Sequence, residues 1–258
     1  MRIRYRKNRR RWPLYVLAVL CMALTVPSAY RIFQEQAQRG EAAKLAGLVS
    51  ESIVQADPQQ IPDYSGEDVI VLNGNSPSFT AEDLAGFTGE YYSSLDILGR
   101  CGTAAALLHR SMMPLQERGE IGNVRPSGWE QKKYPGIVDA DPPYLYNRCH
   151  LIAYAFTGQN DNEKNLITGT RYMNAAVMYS WEEQVIHYLY RTGNHVLYRV
   201  TPYFKGMELL ARGVEMEAYS VEDGGSGICF HVFVYNVQPG VVLDYMTGIS
   251  HAARENPE

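Results

Sequence analysis

Three strand-like runs at residues 195–204, 209–221 and 228–237 lie almost back to back, and the second turn between them reads Asp223-Gly224-Gly225-Ser226-Gly227. Turns this short leave no room for the crossover that parallel strands need, so neighbouring runs must fold back on one another. They predict an antiparallel meander. Further strand-like runs occur at 69–72, 102–108 and 144–153. Between the two groups, Met178, Trp181, Val185, Tyr188 and Leu189 recur at spacings that line one face of a helix. Asn174 suits the cap at its start and Gly193 the stop at its end. Strands around one long helix predict an α+β domain with a central antiparallel sheet.

The first thirty residues are of a different kind. Seven basic residues in the first eleven positions precede the uncharged run LYVLAVLCMALTV at 14–26. That layout reads as a signal anchor or transmembrane segment over 1–30, with the basic flank held in the cytoplasm and the remainder sent outward. Small residues around Pro27, Ser28 and Ala29 also offer a cleavage site, which would make the protein secreted. Residues 31–66 read as a helical stalk and a proline-containing linker, and 67–258 as the folded domain.

Charge sets limits on function. The chain carries a net charge of −4, and beyond residue 30 only residues 100–212 are positive, with 13 basic against 10 acidic residues. A tight binder of polyanions normally presents a strongly basic face. Composition therefore gives no support to nucleic-acid binding, but it places any docking polyanion on the middle of the chain. Beyond Cys21, the three cysteines Cys101, Cys149 and Cys229 would face an oxidising compartment, where one pairing among them is allowed and spacing does not choose it.

The informative segment is YNRCHLIAYAFTGQNDNEKNLITGTRYMN, at 146–174. A strand delivers Arg148 and His150, a polar loop follows, and a helix begins at Asn174 with Glu182 eight residues on. On an ideal helix Glu182 lies roughly 80° from Asn174 and Glu183 roughly 180° away, so only Glu182 can share its site. Asparagine offers a hard oxygen that suits magnesium, and a nearby carboxylate can hold the waters that magnesium keeps. Adjacent strand residues point to opposite faces, which separates Cys149 from His150 and weighs against thiol chemistry.

At these residues the chain resembles the DNA/RNA non-specific endonucleases, the ββα-metal (His-Me finger) nucleases, whose motif is Asp-Arg-Gly-His followed by a helix bearing a metal-binding asparagine. Here the motif stands as Asn147-Arg148-Cys149-His150, so an amide replaces the aspartate and a cysteine replaces the glycine. The resemblance runs from about Gly99 to Gly248. It implies His150 as general base, Asn174 as ligand of one magnesium ion, with manganese a possible substitute, and Glu182 behind the metal waters. It further implies that Arg148 contacts phosphate or braces the site and that Asn165 shapes the loop after His150. Arg171 is a candidate phosphate contact on position alone. The implied activity is cleavage of DNA and RNA to 5′-phosphates by a membrane-tethered, extracytoplasmic enzyme. The competing reading is a surface-anchored nucleic-acid-binding module that keeps the fold without turnover.

Overall fold

The computed structural model describes residues 61–253, so the basic cluster, the apolar run and the stalk lie outside the described residues. Among the described residues no helix is long and apolar enough to cross a membrane.

The expected meander is present. Strands β6 (Val196–Tyr203), β7 (Gly213–Ser220) and β8 (Cys229–Tyr235) pair antiparallel, with Val200 opposite Met216 and Met216 opposite Val232. They form the centre of a six-stranded sheet in the order β1-β8-β7-β6-β3-β2. Strand β1 is Val69–Val71, and β2 (Glu90–Tyr92) and β3 (Ala104–Leu108) complete the other edge. Because side chains alternate along a strand, Tyr198, Val200, Val214, Met216, Val232 and Val234 share one face and join one buried cluster. The helix supplies Met178, Val185, Tyr188 and Leu189 to the same cluster. Burying each such side chain contributes about 1.5–3 kcal/mol, so this contact is the main support of the sheet.

Two short helices, α1 (Ala81–Gly86) and α2 (Tyr154–Thr157), lie in connections. The long helix differs from its expected form at its start. It is helical from Arg171, with a π-helical stretch over Met173–Met178 that continues into α3, Tyr179–Thr192. Thr170 is its cap, accepting a hydrogen bond from the Met173 amide at 3.0 Å, and Asn174 therefore sits inside the helix. Gly193 ends it as expected, with φ of 71° and its amide bonded to the Leu189 carbonyl.

The segment expected to be a polar loop between His150 and the helix contains a further strand. β4 (Tyr146–His150) pairs with β5 (Leu166–Thr170) as a separate two-stranded hairpin. All five β5 residues are buried, so no alternation marks the strand in sequence. Asn236 fastens this hairpin to the meander, accepting from the Thr170 amide and donating to the carbonyls of Thr168 and Ala211. β9 (Val241–Leu243) and β10 (Ser250–Ala252) form a second small hairpin.

The face of the sheet turned away from α3 carries charge. Arg199 on β6, Glu215 and Glu217 on β7 and His231 on β8 are all buried. Arg199 pairs with Glu217, and Ser78 donates to the same carboxylate from its amide (2.7 Å) and hydroxyl (2.8 Å). Both His231 nitrogens face acceptors, Nδ1 the Ser76 carbonyl at 3.0 Å and Nε2 the Glu215 carboxylate. An imidazole with two acceptors carries two protons. Glu215, Glu217 and His231 have their ligand atoms within 4.8 Å of one another, a spacing that would suit a cation. Arg199 and the imidazolium already supply that charge. Burial draws the His231 pKa down, but the Glu215 bond, the Glu217 charge and the Ser76 carbonyl together leave it raised. Stability from a raised histidine pKa is complete below the unfolded value of about 6.5 and is lost as pH climbs through the folded one. The melting temperature is therefore expected to fall as pH rises above neutrality. Thermal denaturation of His231→Gln across the same range should show that slope reduced; an unchanged slope would contradict the assignment.

Candidate active site

The β4–β5 register sorts the motif residues by face. Tyr146, Arg148 and His150 share one face, and Asn147 and Cys149 the other. Cys149 is fully buried, its sulfur 3.5 Å from that of Met178, and burial pushes its thiol well above the ordinary range. Room for it comes from Gly169 across the hairpin, where an added Cβ would lie 2.7 Å from the Cys149 Cβ. The cysteine therefore turns into the core and does not crowd the histidine. It is also unpaired: Cys101, Cys149 and Cys229 are all free, so the pairing allowed by sequence does not form. Cys101 instead directs its thiol at the Leu166 carbonyl, 3.1 Å away.

His150 is 6% exposed, and its Nε2 lies 2.9 Å from the Asn160 carbonyl oxygen. A carbonyl only accepts, so Nε2 carries the proton and Nδ1 keeps its lone pair. Arg118 reaches that lone pair with Nη2 at 3.3 Å. Burial and then the Arg118 charge lower the His150 pKa to about 4, which keeps the ring neutral at physiological pH.

Asn165 and Arg148 hold this arrangement from behind. The fully buried Asn165 side chain accepts from the Ile152 amide (2.8 Å) and donates to the Ile152 carbonyl (2.9 Å). It closes the turn after β4, and without it two buried backbone groups would lose partners at about 1–3 kcal/mol each. Arg148 spends its donors on the carbonyls of Val124 and Gly122 and stacks 4.3 Å from the Trp129 ring. It braces the loop that carries Arg118. Sequence reasoning missed Arg118, because the irregular stretch around it has no periodicity and no motif.

A cavity of about 650 Å³ opens beside these groups, lined in part by Arg118, Asn147, Arg148, Arg171 and Asn174. His150 is not in its lining and borders it through Arg118. The π-helical turn changes the expected relation of Asn174 to Glu182. Hydrogen bonds of the i→i+5 type rotate each residue by roughly 80° rather than 100°, which brings the two closer to alignment than an ideal helix would. Glu182 has no hydrogen-bond or ion-pair partner among the described residues, and burial raises its pKa to about 8. Glu183 faces outward and accepts from the Tyr179 hydroxyl at 3.3 Å. One helix carries both this desolvated carboxylate and the Asn174 amide, and both offer the hard oxygens that suit a divalent cation. A second cavity, about 470 Å³, contains Lys205 and Arg212, but these cations are paired with Asp63 and Glu208. It offers a phosphate no free charge.

Residues 80–222 match the DNA/RNA non-specific endonuclease family. Among solved structures, NucA from Streptococcus agalactiae with magnesium bound is similar at 25% identity and a TM-score of 0.63, over 75% of this chain and 91% of that one. Sda1 nuclease with bound zinc is similar at 28% identity and a TM-score of 0.54, over 65% of this chain and 81% of that one. A structure described as an extracellular endonuclease shares the fold at 20% identity and a TM-score of 0.50, over 74% of this chain and all of that one. The family match takes in the hairpin, the capped helix and most of the meander, more than half of the chain, and on that ground this protein belongs to the DNA/RNA non-specific endonucleases, which are phosphodiester hydrolases.

Proposed function

We propose that this protein is a magnesium-dependent endonuclease that cuts DNA and RNA without sequence preference, leaving 5′-phosphates, and that it works outside the cytoplasm on an N-terminal membrane anchor. The observation that carries the reading is the 2.9 Å contact of His150 Nε2 with the Asn160 carbonyl, which leaves the lone pair on Nδ1, the nitrogen that Arg118 approaches. An imidazole with an available lone pair, bordering an arginine-lined cavity through Arg118, has the parts of a general base for water.

In this reading His150 Nδ1 takes a proton from water as the water oxygen attacks phosphorus. The bond to the 3′ oxygen breaks, that oxygen takes a proton from solvent to leave as a hydroxyl, and the phosphate stays on the 5′ end of the other fragment. Asn174 would hold the magnesium ion and Glu182 would face its waters; when bound, the ion would supply positive charge for the phosphate and the leaving oxygen. Arg118 and Arg171 steady the phosphate charge from the cavity wall, while Arg148 and Asn165 act by positioning. The magnesium in NucA and the zinc in Sda1 support a divalent cation here, and manganese is a reasonable substitute. Placement outside the membrane rests on the basic start and apolar run of residues 1–30; cleavage there would release the domain. The non-catalytic alternative draws on Asn147, Cys149 and the acidic overall balance, and the burial of Cys149 away from His150 weakens one of these supports.

Plasmid nicking tests the reading. Cleavage should require magnesium, and His150→Ala and Asn174→Ala should each lose at least about a hundredfold in rate, within the range usual for removing a general base or a catalytic metal ligand. Nicking unaffected by either change would exclude it.

The acid limb of the pH–rate profile is a second test. A base with a pKa of about 4 stays unprotonated well below neutrality, so activity should persist as pH falls toward 5. Arg118→Ala removes the positive neighbour and should move that limb upward, toward the ordinary histidine range. A wild-type limb already near 6.5 would contradict the assigned environment.

A further inference from the structure

The cavity beside His150 is lined by residues of unlike chemistry. Arg118, Arg171 and Asn174 line it, and so do Asp141, Pro142 and Tyr144. Of the large apolar side chains that are exposed among the described residues, Tyr144 is the one that lines this cavity, with 41% of its surface open. A phosphate beside Asp141 would meet a like charge, whereas an uncharged aromatic face can meet the Tyr144 ring.

The ring is held in place before any ligand arrives. Tyr144 is bridged antiparallel to Lys133, whose ammonium sits 4.8 Å from the ring centroid. The Tyr134 amide bonds to Pro143 and the Leu145 amide to Lys132, both at 2.9 Å. The Gln131 side chain closes the ladder, donating to the Tyr146 carbonyl at 2.6 Å and accepting from the Tyr146 amide at 2.9 Å. Next to Tyr144, Leu145 and Tyr146 are buried. An exposed aromatic ring on so firmly tied a segment loses little freedom when something stacks on it.

We propose that Tyr144 is a stacking platform for an unpaired base next to the scissile phosphate, so that single-stranded nucleic acid is the preferred substrate. The inference rests on the endonuclease reading above. Bases inside a duplex are already stacked on both faces, so the ring is reached by a base that has left a helix or was never in one. Stacking on one ring is tolerant of base identity, in keeping with cleavage that ignores sequence.

Fluorescence anisotropy on the His150→Ala protein tests this without turnover, using a short labelled single-stranded DNA, its duplex, and the same strand with abasic sites. Adding Tyr144→Ala should weaken single-strand binding about tenfold, Tyr144→Phe should restore it, and the abasic strand should not distinguish ring from alanine. Equal weakening on strand and duplex, a loss shared by Tyr144→Phe, or no loss at all would overturn the proposal. A wild-type chain that fails to cut any DNA would sink the endonuclease reading and leave this binding comparison intact; a chain that cuts but shows no dependence on the ring would sink only the platform.

Discussion

The hydrogen bond between His150 Nε2 and the Asn160 carbonyl determines which nitrogen of the ring is available, and every chemical role around it follows from that choice. Its geometry depends on how the chain turns between β4 and β5. Asn165 pins the first part of that turn to the Ile152 backbone, and the hairpin register then brings the chain back to Thr170. Thr170 caps the helix that carries Asn174, and its hydroxyl also donates to the Val237 carbonyl at 2.6 Å. Base and candidate metal ligand are thus joined through one hairpin, one cap and one side-chain clamp onto the meander. A loosened Asn165 or Thr170 would disturb both ends of the site at once.

An acidic protein that works on a polyanion needs local rather than global positive charge. Three arginines among the described residues are committed to carboxylates: Arg100 to Asp96, Arg199 to Glu217 and Arg212 to Glu208. Arg148 is spent on backbone carbonyls. Arg118 and Arg171 remain at the cavity, where Arg118 has desolvation and a neutral histidine as its surroundings. Few free cations at the cavity imply few phosphate contacts there, hence modest affinity and a shallow dependence on salt. Such binding suits an enzyme that must release short products.

Much of this was readable in the sequence wherever a residue pattern and a local geometry coincide. The meander, the apolar face of α3 and the Gly193 stop follow from periodicity and glycine conformation. The Asn147–His150 segment stood out through its residue types, and the opposite orientation of Cys149 and His150 follows from strand alternation. What was hidden depends on tertiary packing. β5 is buried on both faces and contains Gly169, so it shows no alternation. The π-helical turn has no glycine or proline to announce it, and it displaced Asn174 from the cap position that Thr170 fills. Arg118 lies in an irregular loop, and only the fold brings it to His150 across 32 residues of chain.

Nitrogen-resolved NMR of the histidine side chains tests the central claim most directly. The account predicts that His150 is the Nε2–H tautomer at neutral pH, with an unprotonated Nδ1 and a titration midpoint of about 4. A His150 ring protonated on Nδ1 at neutral pH, or one that titrates like a free imidazole, would contradict it.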